Sequence, residues 1–244
     1  TGWFRGADKK WRFEIDDRGA SVDMGKIPSG MSMVGDLPKA QEVVSHGRLF
    51  DAYPEVAAKT YMGRASEGGG AFSDLSNRGP YKGLVSLNPN GHEGTNSVAL
   101  HELQHAVQQR EGFAAGGNPQ SLSLADIADP AQVEAVKRST LYRLQVAQGR
   151  DPKKALEGIL APYLDELGGG SAGNARIDAY RRLAGEAEAR AVQSRMDMTP
   201  EQRRATFPFD SYDVPRDKLI LRDLLKGPAE ASRPRQMQVR PAKE

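Results

Sequence analysis

The chain of 244 residues contains no cysteine. That excludes disulfides, thiolate metal sites and cysteine nucleophiles, and it suits a reducing compartment. No run approaches the roughly 18 apolar residues of a membrane-crossing helix, so an integral membrane protein is not expected. Net charge is nearly absent too: 34 Lys+Arg stand against 32 Asp+Glu, a formal +2. Residues 223–244 hold five of the basic and three of the acidic side chains, which leaves 29 of each in the rest. The pI of 8.7 is therefore partly a property of the chain end, and the body carries no strong nucleic-acid signal. Histidine occurs only four times, so any metal or proton chemistry draws on few candidates. There is no initiator Met and no signal peptide, and the expectation is a fragment of something longer.

What is present is ordinary for a folded domain: 38% hydrophobic and 27% charged residues, too apolar to be disordered throughout. Residues 10–15 alternate apolar with charged side chains, a half-buried strand pattern. Residues 21–36 read as a loop, 37–49 as a helix with Pro38 in its first turn, and 56–62 and 81–87 as further strands. Gly68-Gly69-Gly70 is a break, and no Gly-Lys-Ser/Thr follows to make it a phosphate loop. Asn88-Pro89-Asn90-Gly91 ends the third strand with turn chemistry. Thr95 or Asn96 then caps a helix to about Glu111, closed by Gly112 and Gly116-Gly117-Asn118-Pro119. Helices follow over 130–148, after Asp151-Pro152, and over about 174–196, with a second glycine break at 168–170. This pattern predicts an α+β fold: a small, mostly antiparallel sheet with one helix beneath it, then a helical C-terminal half.

The chemistry sits in His101-Glu102-Leu103-Gln104-His105. On a helix the two histidines lie one turn apart on one face, about 6 Å between their Cβ atoms, and can share one Zn²⁺. Glu102 then stands beside the metal rather than on it, where its carboxylate can take a proton from a water. With so few histidines, a chance HExxH in this chain has a probability of roughly 0.004. The alternative is a solvent-facing helix with two idle histidines.

A third ligand must come from elsewhere. Gln108 and Glu111 occupy the positions of Gly and His in the longer HExxHxxGxxH form, and only His46 and His92 remain. A distant Glu is the natural substitute, and 183–192 offers Glu186 and Glu188 among small residues that permit close helix approach. Two residues apart, they point about 200° apart on a helix, so both cannot face one metal. Helical phase favours Glu188, nearer the stripe of Leu183, Ala184, Ala187 and Ala191; either could equally be a surface Glu paired with Arg182 or Arg190. Tyr180, Tyr212 and His92 are candidates to stabilise an oxyanion, against the plainer reading of packing or solvated residues. Trp3 and Trp11 read as core or sheet-face residues. No Ser/His/Asp nucleophile arrangement is present.

HELQH with a Glu on a later helix resembles the gluzincin group of zinc metallopeptidases. In that group the ligand Glu is often followed at i+4 by an Asp or Asn that supports a metal-binding His. Glu186-Ala187-Glu188-Ala189-Arg190 is similar to that pattern, which implies Glu186 as third ligand and puts Arg190 where the supporting residue would stand. A broader resemblance, over roughly residues 1–220, is to the large polyvalent protein-associated domains of bacteriophages and conjugative elements. It is carried by Thr1-Gly2-Trp3-Phe4-Arg5-Gly6, by 10–17 (KWRFEIDD), by LNPNG, ALHELQHAVQQREGF and GEAEARAVQ, and by YDVPRD. These resemblances imply a zincin-like domain over 1–222, with the sheet and HExxH helix in 1–118, the third ligand in 119–222, and a basic flexible tail or linker at 223–244. They imply a zinc peptidase with His101, His105 and Glu186 on the metal and Glu102 as general base. A peptide or protein would be the substrate, held along an edge strand near 84–87, with no membrane partner, in the cytoplasm of a bacterial host. The rival is a non-catalytic interaction or scaffold domain with a structural or degenerate metal site. Glu102 argues for the enzyme, because a structural two-His site does not need it.

Overall fold

The computed structural model describes residues 2–30, 32–128, 130–167 and 172–221. The expected tail at 223–244 and the break at 168–170 lie outside the described residues. The architecture is α+β, with small sheets in the N-terminal half and mostly helices after residue 119. Strands β1 (Trp3–Arg5) and β2 (Trp11–Phe13) form an antiparallel hairpin, and β3 (Ser21–Val22) pairs antiparallel with β4 (Val44–Ser45). The main sheet contains β5 (Thr60–Arg64), β6 (Gly70–Asp74) and β7 (Gly83–Leu87) in the order β5-β7-β6. It is mixed rather than mostly antiparallel. The chain turns back after β5 to form β6, and β7 then inserts between them, antiparallel to β6 and therefore parallel to β5.

Several expected elements are subdivided. The 37–49 helix becomes α1 (Ala40–Val43) and α2 (Gly47–Ala52), because Val44 and Ser45 leave the helix to pair with β3 and His46 caps α2. The 56–62 strand begins as helix α3 (Pro54–Lys59): Pro54 presets the first turn and Lys59 pairs with Glu55 at 2.8 Å. Only from β-branched Thr60 does the chain become extended. Helix α4 (Thr95–Glu111) carries HELQH. Its N-cap is Gly94, and Asn96 instead accepts a hydrogen bond from Val22 N–H at 2.9 Å, tying the helix to β3.

The C-terminal half comprises α5 (Leu124–Ile127), α6 (Pro130–Arg138), α7 (Thr140–Ala147), α8 (Pro152–Leu167), α9 (Ala172–Arg182), α10 (Ala184–Arg195) and α11 (Pro200–Ala205). Ser139 splits the expected 130–148 helix by capping α7 through Tyr142 N–H. Leu183 splits the 174–196 helix, since Ile220 N–H bonds to Arg182 O at 2.7 Å and Ala184 N–H to Ile220 O at 2.9 Å.

One core joins the main sheet to α4 through Met62, Val85, Leu87, Val98, Leu103 and Val107. A second gathers α5, α6 and α8 around Leu124, Val133, Leu156 and Leu160. Burial of each such side chain contributes about 1.5–3 kcal/mol before entropy is counted. Helix α10 packs against α4, and its buried residues include the small Ala184, Gly185, Ala187, Ala189 and Ala191, consistent with the close approach expected from the sequence. Trp3 and Trp11 are 57% and 56% exposed, so they are sheet-face residues and not core. The inward face of their hairpin carries Phe4 and Arg12 instead. Among the described residues, no helix is long and apolar enough to cross a membrane.

Candidate metal centre

His101 and His105 project from one face of α4, their rings 4.8 Å apart, toward the first turn of α10. There the Glu186 carboxylate meets both: Oε2 lies 3.3 Å from His101 Nε2 and Oε1 3.3 Å from His105 Nε2. One ligand atom from each of the three residues can be chosen so that all lie within 4.8 Å of one another. Two atoms bound at about 2.0–2.1 Å to a tetrahedral zinc are about 3.3 Å apart, so the two Glu–His separations already suit the ion. The donor set, two imidazoles and a carboxylate, is also one that zinc takes in sites with an open position.

The proton pattern on the rings is set by two glutamines that sequence reasoning missed. Gln193 Oε1 is 3.0 Å from His101 Nδ1, and Gln108 Oε1 is 2.8 Å from His105 Nδ1. Gln108 Nε2 donates to Gly185 O at 2.9 Å and Gln193 Nε2 to Ser97 Oγ at 3.1 Å, which orients both amides with oxygen toward the rings. An amide oxygen only accepts, so each Nδ1 holds a proton and each Nε2, which faces the Glu186 carboxylate, is the atom that would bind a metal. The signal was legible in hindsight: Gln108 follows His105 by three residues, and Gln193 lies two helical turns after Glu186. Arg190, at the position where the gluzincin pattern has its supporting residue, turns away and pairs with Asp213 at 2.8 Å.

Glu186 is almost fully buried. Burial alone would raise its pKa, but bonds to His101, His105 and the Gly117 N–H outweigh that and hold it well below the usual carboxylate range. The Gly117 bond is 2.9 Å long. Burial alone would lower His105, yet Glu186 and Glu102 push it up to about 9. Glu102 is buried beside the two histidines without bonding to Glu186. Its pKa is raised, chiefly by burial, against the pull of His105 and His101, and Phe72 N–H of β6 donates to its carboxylate.

These residues line a cleft of about 720 Å³ whose walls include β6, Phe113, the 115–119 segment and Tyr180. The strand beside the cleft is therefore the edge strand β6, not 84–87: β7 is central and both its edges are occupied. Tyr180 reaches Glu186 with its hydroxyl, and burial followed by the Glu186 charge keeps that hydroxyl protonated. Tyr212 does not join the site. It lines a small cavity of about 80 Å³ with Arg12 and Glu188. His92 is exposed and is not among the cleft-lining residues. Glu188 faces away from the histidines and is held by Arg12, Nε to Oε1 at 2.8 Å and Nη2 to Oε2 at 3.1 Å.

A family model described as Large polyvalent protein associated domain 23 matches residues 1–23. No curated protein and no solved structure matches the chain. The match associates the N-terminal segment with large polyvalent proteins. It stops short of α4, so it carries no assignment of zinc or peptidase activity.

Proposed function

We propose that the chain is a zincin-like, zinc-dependent metallopeptidase domain of a large polyvalent protein. The single observation that carries this is the convergence of His101, His105 and Glu186 on a cleft floor with Glu102 beside them but not among them. Zinc held there would supply Lewis-acid polarisation of a peptide carbonyl and acidify a water molecule. Gln108 and Gln193 keep the imidazoles in the Nδ1–H tautomer, and Gly117 N–H steadies the third ligand. Glu102 takes the proton from the attacking water and delivers it to the leaving amine nitrogen; burial raises its pKa, which makes it a stronger proton acceptor than an ordinary carboxylate. Phe72 N–H fixes that carboxylate, and Tyr180 supplies a neutral hydroxyl that can bond to the developing oxyanion. The edge strand β6 offers an extended substrate a backbone to pair with.

The test is Glu102→Gln, which keeps side-chain size. Zinc content and melting temperature should stay near wild type while peptidase activity falls by orders of magnitude. An unchanged rate would move the proton acceptor elsewhere. Stoichiometric zinc with no activity on any unfolded protein substrate would favour the scaffold reading.

A further inference from the structure

The N-terminal hairpin contributes no donor to the cluster, yet it is bonded to the elements on both sides of the third one. Its turn places Asp8 against the segment that follows α4. Asp8 Oδ2 accepts from Ala114 N–H at 2.9 Å, and the same carboxylate receives Arg12 Nη1 and Nη2 at 2.6 and 3.0 Å. The Arg12 guanidinium stacks 3.9 Å over the Phe113 ring, and Lys10 Nζ bonds to Gly112 O. Three residues after Ala114, the segment ends at the Gly117 N–H on Glu186. On α10 itself, Arg12 grips Glu188 with two nitrogens, two residues past Glu186 and on the opposite helix face.

We infer that the β1–β2 hairpin is a positioning part of the metal centre. Asp8 and Arg12 fix the 112–117 strap and the rotation of α10, and through them the place of Glu186 opposite His101 and His105. This rests on the zinc reading of those three residues. Its physical content is tolerance: a ligand atom must sit within about 0.2 Å of its bonding position. Glu186 meets that only if its helix cannot rotate and its carboxylate cannot swing. The Arg12–Glu188 fork opposes the rotation, because a planar guanidinium bound at two oxygens resists turning about either bond. The strap opposes the swing, and it is seated directly on α10: a Cβ on Gly185 would overlap the backbone of Ala115 and Gly116. Asp8 joins the two devices, accepting from Ala114 N–H of the strap and from both Arg12 Nη atoms of the fork. The stretch matched by the polyvalent-protein family model thus contains the residues that hold the site in shape.

Zinc competition titrations and thermal melts on wild type, Asp8→Ala, Asp8→Asn and Leu160→Ala test this. Leu160 lies in the α5–α8 core, so its truncation reports how zinc affinity responds to lost stability alone. We expect Asp8→Ala to bind zinc at least about 10-fold more weakly. Asp8→Asn should recover most of that, since its amide oxygen still accepts from Ala114 N–H. Leu160→Ala should melt earlier with wild-type zinc affinity. Wild-type affinity in Asp8→Ala, or an equal loss in Leu160→Ala, overturns the hairpin inference and leaves the zinc reading standing. Absence of zinc binding by the wild type overturns both. If Asp8→Ala does not fold, Asp8→Ser replaces it, with an intermediate loss expected and wild-type affinity again the refuting result.

Discussion

Replacing Gly116 with alanine places a methyl group against two of the proposed ligands. Its Cβ would lie 2.5 Å from His105 Cε1 and 3.0 Å from Glu186 Cδ, and would overlap Glu186 Oε1. Carbon atoms rest at about 3.5 Å or more, so the imidazole or the carboxylate must move by about 1 Å. What the methyl meets is side-chain ends rather than backbone, so the fold can yield there for about 1–3 kcal/mol. A metal site cannot yield as far, because its distances are held to about 0.2 Å. Zinc affinity should therefore fall by about 100-fold, or about 2.7 kcal/mol, while the circular dichroism spectrum stays native. Competition against a chromophoric chelator reads the affinity, and a melt without metal reads the fold. A folded Gly116→Ala protein with wild-type zinc affinity would refute both the ligand set and the role given to the strap.

Two further outcomes follow from the same geometry. Glu186→Gln should weaken zinc binding by 10-fold or more as an order of magnitude, whereas Glu188→Gln removes no ligand and should weaken zinc clearly less while lowering the melting temperature, because it loosens the buried pair with Arg12; the reverse ranking in a zinc titration would transfer the ligand to Glu188. Zinc affinity should rise about tenfold per pH unit up to about pH 9, because the metal must displace the proton that Glu186 and Glu102 hold on His105. In the metal-free protein the sign is opposite: the raised His105 pKa contributes stability that is full below the ordinary histidine value of 6.5 and is lost as pH rises toward about 9. A pH-independent zinc affinity between 6 and 9 would contradict that proton's place.

The local geometry of the HELQH segment was readable without coordinates, because it depends on helical spacing. A spacing of four positions from His101 to His105 puts both rings on one face of α4, and Glu102 necessarily falls beside them. The small residues of 183–192 announced a helix that could come close. What spacing could not reveal was anything decided by two elements distant in sequence. The phase of α10 gave the apolar side to Glu188, yet both acidic residues are buried, because the helix is enclosed between α4 on one side and the Arg12 hairpin on the other. Only that enclosure separates the carboxylate that meets imidazoles from the one that meets a guanidinium. The same holds for Gln193, whose partner His101 is 92 positions away. It holds also for β6, of which only Gly70 was read, as the end of a glycine break, and which becomes the strand beside the cleft once β7 inserts beside it. The continuous helix periods broke where tertiary hydrogen bonds outweighed local propensity: Val44 was drawn to β3 and Leu183 to the segment at Ile220. A period records which face of a helix is apolar; which element covers each face is set by packing, and in this chain that choice determines which carboxylate reaches the histidines.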